Sequence, residues 1–232
     1  MAEATLKVFS TLGLAGVLRE IEPRFAQARL ATTMLEVALL PSAVWMERIR
    51  GGATADVAIL LADSIDALAA AGILRQGRTD LARSLVGIAV RAGAPRPDIS
   101  SVDAFVATMR AAKSVALSGA GASGLYFAAL LPRLGIADEV MAKATVIPSG
   151  FTGELVRRGE AEIAVQQVSE LKAVPGIDIV GTLPAGIEGV SVFSAGIFAG
   201  SGRKEEAEAL IGMLAAEEAG AIYAANGLEA LF

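Results

Sequence analysis

The sequence predicts an α/β fold with mainly parallel strands, and three observations carry that expectation. Short β-rich apolar runs alternate with helical patterns along the whole chain, the mark of sheets covered by helices. Apolar residues make up 54% and charged residues 19%, which is enough to fill a core and excludes global disorder. Aromatics are only 5% and alanine is abundant, favouring helices laid on sheets over a β-sandwich. At 232 residues the chain has room for one large domain or two lobes.

The elements follow in order. Residues 6–10, Leu-Lys-Val-Phe-Ser, read as a first strand. Leu14, Val17, Leu18, Ile21 and Phe25 then recur at helical spacing. Pro23 falls late in that pattern and is expected to kink or end the helix, since it lacks an N–H. Residues 34–40 form a second strand, and Ser42 opens a helix carrying Val44, Trp45 and Ile49 that Gly51-Gly52 closes. Residues 55–61 read as a strand apolar on both faces. Asp63 or Ser64 caps the next helix and Gly72 ends it. Residues 84–91 are another apolar strand, followed by a Pro95-Arg96-Pro97 turn. Ser100 and Asp103 have capping-box spacing for a helix to Ala112. Strands near 114–118, 145–148 and 161–165 alternate with helices near 125–134 and 152–158. Residues 191–199 are a last apolar strand, and a helix from Arg203 buries Ala207, Leu210, Ile211 and Leu214.

Composition removes whole classes of chemistry. There is no Cys and no His, hence no disulfide, thiolate, imidazole base or Cys/His metal site. No clustered Asp/Glu motif replaces them, so no metal or cofactor is expected. The net charge of −5 comes with scattered Lys and Arg, which argues against nucleic acid. The uncharged stretch 114–131 reaches transmembrane length, but Ser118-Gly-Ala-Gly-Ala-Ser-Gly124 inside it reads as a loop. The chain is therefore expected not to be membrane-embedded. Met1-Ala-Glu-Ala is not a signal peptide; the compartment is periplasmic if a leader has been cleaved, cytoplasmic if the chain is whole.

Several strands end in a hydroxyl and run straight into a helix: Ser10-Thr11, Leu40-Pro41-Ser42, Ser118 to Gly124, and Pro148-Ser149-Gly150. Ligands of open α/β sheets bind at such carboxyl ends. Helix N-termini there offer unpaired N–H groups and about half a positive charge. Neutral donors of this kind suit a small anion, although any one of them is an ordinary N-cap by itself. Gly119, Gly121 and Gly124 also spell a G-x-G-x-x-G fingerprint. The strand that follows does not end in the acidic residue that would hold a ribose. Arg83 stands just before the 84–91 strand, either to meet a ligand carboxylate or as a solvated charge. Gln166 and Gln167 end a strand, and alternation is expected to turn one of them toward a cleft. Glu154 and Glu170 read as solvated helix residues, with the alternative that one of them borders the site.

These pieces, in this order, resemble bacterial type II periplasmic solute-binding proteins, specifically the branch of the molybdate-binding proteins of ABC importers. The resemblance rests on Leu6-Lys-Val-Phe-Ser-Thr, Gly51-Gly-Ala-Thr-Ala-Asp-Val-Ala-Ile, Leu81-Ala-Arg-Ser-Leu-Val-Gly-Ile-Ala-Val, Ala122-Ser-Gly-Leu-Tyr-Phe, Gly153-Glu-Leu-Val-Arg-Arg-Gly-Glu-Ala-Glu and Val192-Phe-Ser-Ala-Gly-Ile. It implies two lobes, 1–83 plus 195–232 and 84–194, joined by crossing strands with a ligand between them. By position it implies ligand contacts at Ser10, Thr11, Ser42, Ala122, Ser123, Gly124 and Gln166 or Gln167, with Arg83 added from the reading above. Leu40-Pro41 before Ser42, and Val192-Phe193-Ser194 where a Tyr is usual, depart from the molybdate pattern. The expected function is capture of a small anion, an oxyanion or a carboxylate, for uptake through an ABC importer by a monomer with no catalytic residue. The alternative is an isomerase of a small di- or tricarboxylate on the same fold, similar to aconitate isomerases, whose base the sequence does not name.

Overall fold

The computed structural model describes residues 4–28 and 33–232; the leader expectation falls on residues 1–3, outside them. The chain divides into two compact units, Met1–Arg83 with Val192–Phe232, and Ser84–Ser191.

In the first unit, β1 (Ala4–Ser10) lies between β2 (Thr33–Leu39) and β3 (Val57–Leu61), and all three run parallel. The end of β9 (Val190–Ile197) pairs antiparallel with β3. The short β10 (Glu229–Ala230) pairs antiparallel with the start of β4 (Thr79–Arg91). Residues of β3 alternate between two cores, which is why its sequence is apolar without a break. Val57 and Ile59 pack under α1 (Ala15–Gln27), α9 (Lys204–Leu214) and α10 (Gly220–Ala225), together with Leu6, Val8, Phe25, Leu210 and Tyr223. Ala58 and Leu60 pack on the other face with Trp45 of α2 (Ser42–Arg50) and Ile65 and Leu68 of α3 (Ala62–Ala70).

The second unit repeats the plan. Here β5 (Val115–Ser118) lies between β6 (Ala144–Ile147) and β7 (Ile163–Gln167), again all parallel. The rest of β4 pairs antiparallel with β7 and with β8 (Ile177–Thr182). One face carries large side chains, Val86, Ile88, Val115, Leu117 and Val165, under α4 (Val102–Ala111) and α5 (Ala122–Arg133). The other carries alanines 89, 116 and 164, so that α7 (Gly153–Arg157) and α8 (Val168–Lys172) come close through Leu155, Val156 and Leu171. The short α6 (Ala137–Met141) follows α5.

Local expectations needed correcting where packing overrides a residue's preference. Pro23 does not end α1, which continues to Gln27; Phe25, 1% exposed, anchors the last turn in the core. Neither Asp63 nor Ser64 caps α3, whose N-cap is Leu61. The cap of α4 is Ser101, whose hydroxyl accepts from Ala104 N–H at 3.1 Å, rather than Ser100. The strand expected from residue 84 begins at Thr79, which places Arg83 inside β4.

Gly124 shows how tightly α5 sits on the end of β5. A Cβ there would overlap the Ser118 carbonyl. Gly124→Ala is expected to cost about 1–3 kcal/mol or more by overpacking. Gly212→Ala in α9, where a Cβ meets nothing within 4 Å, should instead add about 0.5–1 kcal/mol through helix propensity. Denaturant midpoints of the two variants check both signs.

Candidate functional site

Parallel pairing brings the carboxyl ends of each unit's strands to one edge. In the first unit Ser10 stands opposite Leu39 and Ile59. Its carbonyl accepts from Leu40 N–H at 3.1 Å and from Trp45 Nε1 at 2.9 Å, which pins the loops leaving β1 and β2. The Ser10 hydroxyl donates to the Thr11 carbonyl at 3.2 Å. The Thr11 hydroxyl accepts from Gly13 N–H at 3.0 Å, so Thr11 is a true cap of the following 3-10 turn. The Ser42 hydroxyl accepts from Leu61 N–H at 3.2 Å rather than capping its own helix. All three side chains are buried. In these bonds Thr11 and Ser42 act only as acceptors, which leaves each O–H proton available to a ligand.

In the second unit Ser118 closes β5, and its hydroxyl accepts from Gly121 N–H at 2.9 Å. Ala122 begins α5; the N-cap Gly121 has no side chain to satisfy the first-turn N–H groups. Ser123 in that turn is 0% exposed, and its hydroxyl has no hydrogen-bond partner. Beside this loop, at the end of β7, Gln166 Oε1 accepts from Thr152 N–H at 2.7 Å and from its hydroxyl at 2.9 Å. Gln166 Nε2 donates to the Gly150 carbonyl at 3.0 Å. Gln167 Nε2 donates to the Ser191 hydroxyl at 2.7 Å, while its Oε1 is buried without a partner. Alternation sends them to opposite faces, but both faces are covered, and both side chains are buried.

Arg83 forms a two-pronged ion pair with Glu229, at 2.8 and 2.7 Å, because β10 pairs with β4 and brings the partner alongside. One expectation is overturned. Glu170 is not a solvated helix residue but 6% exposed, and its Oε2 has no partner. Desolvation raises its carboxyl from 4.5 to about 7, opposed by hydrogen bonds from the Gln167 main chain and the Gln166 side chain. Gln167 is the N-cap of α8 and Glu170 its third residue. That N-cap-x-x-Glu spacing is the sequence signal that could have found the residue; its burial had no signal. The G-x-G-x-x-G spacing is accounted for by the fit of Gly124 on β5, and β6 is followed by Pro148-Ser149 rather than an acidic residue.

With the edges described, comparison with known proteins is informative. A family profile described as bacterial extracellular solute-binding protein matches residues 6–229. The chain belongs to that family. The fold of this solute-binding protein is that of the molybdate-like branch. The molybdate-binding protein of Azotobacter vinelandii superposes with a TM-score of 0.79 at 21% identity, covering 96% of this chain and 98% of the other. The sulfate-binding protein of Mycobacterium tuberculosis gives 0.78 at 15% identity, covering 97% and 86%. In sequence, an aconitate isomerase from a Pseudomonas species is 39% identical over 97% of this chain and 87% of its own length. Among the described residues of this solute-binding protein, no helix is long and apolar enough to cross a membrane.

The buried carboxyl gives a signed pH dependence. Because the folded pKa lies above the ordinary value, its contribution to stability is present below about pH 4.5 and lost as pH rises toward 7. Relative to Glu170→Gln, which cannot ionise, the wild type should lose about 3 kcal/mol between pH 4 and pH 8. Urea midpoints of both proteins across that range measure it, and parallel curves would show that Glu170 is not desolvated.

Proposed function

We propose that this protein binds a small polycarboxylate anion and isomerises it by moving a proton between two of its carbons. The observation that carries anion binding is the start of α5: a fully buried Ser123 hydroxyl with no partner, in the first turn of a twelve-residue helix without a side-chain cap. Helix N-termini hold anions through oriented N–H groups and the macrodipole, and a desolvated hydroxyl left unpaired costs stability unless a ligand engages it. Ser10, Thr11 and Ser42 of the first unit add buried hydroxyls at their own strand edge. Ala122, Gly124 and the glutamines Gln166 and Gln167 complete the set on the second.

The choice of a polycarboxylate, and of chemistry on it, is supported by the near full-length similarity to an aconitate isomerase. Aconitate carries a CH₂ group next to a carbon–carbon double bond, so isomerisation needs only one proton removed and one returned.

A second reading is capture of an oxyanion or carboxylate without conversion, with delivery to an ABC importer in the periplasm. It is favoured by the neutrality of every donor at the two strand edges, which suits a fully ionised tetrahedral anion as well as a carboxylate.

Incubation of the purified chain with trans-aconitate, followed by NMR, separates the readings. Appearance of cis-aconitate is the expected result. Tight binding of molybdate or sulfate with no conversion of trans-aconitate would establish the second reading instead. Ser123→Ala is expected to weaken the anion by about 1.5–3 kcal/mol, or roughly 10- to 100-fold, since it removes a hydrogen bond to a charged group. Titration calorimetry showing unchanged affinity would place the anion elsewhere.

A further inference from the structure

We propose that Glu170 is the proton-transfer group of this protein, acting on a small polycarboxylate whose acidic C–H lies next to a carbon–carbon double bond. The proposal rests on the isomerase reading above and supplies what that reading lacked, a base in a chain without histidine.

Three buried polar atoms without partners belong to this one unit: Ser123 Oγ, Gln167 Oε1 and Glu170 Oε2. Val115 and Ala116 of β5 pair in parallel with Ile163 and Ala164 of β7, so the two strands are direct neighbours in the sheet. Ser123 lies in the first turn of the helix after β5, and Gln167 and Glu170 lie where β7 gives way to α8. Each is a buried polar group without a protein partner where a strand of this sheet gives way to a helix.

The plain structural account of Glu170 is a capping box with the Gln167 N–H. That account uses one carboxyl oxygen and leaves Oε2 unexplained. A glutamine in the same place would make the same box without the cost of burying an ionisable group. What the carboxyl has and the amide lacks is the ability to give up and take back a proton. Burial brings that equilibrium to about 7, so both forms are accessible near neutrality, as a group serving first as base and then as acid requires. The groups whose hydrogen bonds act on it, Gln166 and Gln167, are neutral. On β8, which packs on α8, Asp178 is engaged by Gly93 N–H at 3.1 Å.

The step balances without a co-reactant. The Glu170 carboxylate takes a proton from the CH₂ carbon, and the C–H pair becomes a new double bond to the central carbon. The old double bond's pair then takes that proton from the Glu170 carboxylic acid at the far carbon, and the carboxylate is restored.

Glu170→Gln, Glu170→Asp and, as a control, Glu154→Gln, at a partly buried glutamate paired with Arg157, are compared with wild type on trans-aconitate by NMR, with binding measured by calorimetry. General acid–base groups contribute about 10²- to 10⁴-fold, so Glu170→Gln is expected to lose that much kcat while trans-aconitate affinity stays within about threefold. Glu170→Asp should retain part of the activity and Glu154→Gln all of it. The wild-type kcat should show an ionisation near pH 7. A folded Glu170→Gln that keeps kcat within about fivefold, against the 10²-fold floor for such a group, overturns the proposal and leaves the isomerase reading standing. If Glu170→Gln does not fold, a wild-type kcat flat between pH 6 and 8 overturns it equally. Wild type that binds trans-aconitate without converting it removes both.

Discussion

Each unit is organised by three strands running parallel about a central one, β1 in the first and β5 in the second. A parallel ladder aligns strand ends as well as strand faces. The main-chain groups leaving the sheet therefore arrive together at one edge, where the ladder no longer satisfies them. Several polar groups at the two edges answer that shortage. Ser10 O takes Leu40 N–H and Trp45 Nε1, Ser42 Oγ takes Leu61 N–H, Ser118 Oγ takes Gly121 N–H, and Gln166 Oε1 takes Thr152 N–H. The scaffold is closed by hydroxyls and amides rather than by ions, and the donors it leaves over are neutral as well.

The two edges are not equally finished. In the first, each of the three buried hydroxyls already has one partner. In the second, Ser123 Oγ, Gln167 Oε1 and Glu170 Oε2 have none. Buried polar groups are ordinarily paired, so these strand–helix junctions of the second unit are where a ligand repays the most. Two arginines are paired nearer the surface. Arg83 is tied to Glu229, and Arg78 to Asp66 and Asp80, at positions partly open to water where such pairs contribute little.

The two faces of the second unit's sheet are unequal for a related reason. Large aliphatic residues hold α4 and α5 on one side, whereas alanines let α7 and α8 approach on the other. Close approach of α8 is what removes water from Glu170. The alanines that allow this sit on β7 itself and on its two neighbours, β4 and β5.

The sequence by itself determined the fold class and most of its strands and helices, though not α6, β8 or β10. A run apolar on both faces, such as residues 55–61, has only one stable home, a strand covered by helices on both sides. Hydroxyl-bearing junctions at Ser10, Ser42 and Ser118–Gly124 were legible for the same local reason, a β pattern stopping where a helical pattern starts. Pairing and burial between distant residues were not legible. Arg83 meets a glutamate 146 positions away, Leu61 N–H finds Ser42 in place of a cap at Asp63 or Ser64, and Glu170 is buried although it reads as a solvated helix residue. A side chain's propensity is written within a few residues of it, whereas its solvation is set by whatever the tertiary structure brings against it.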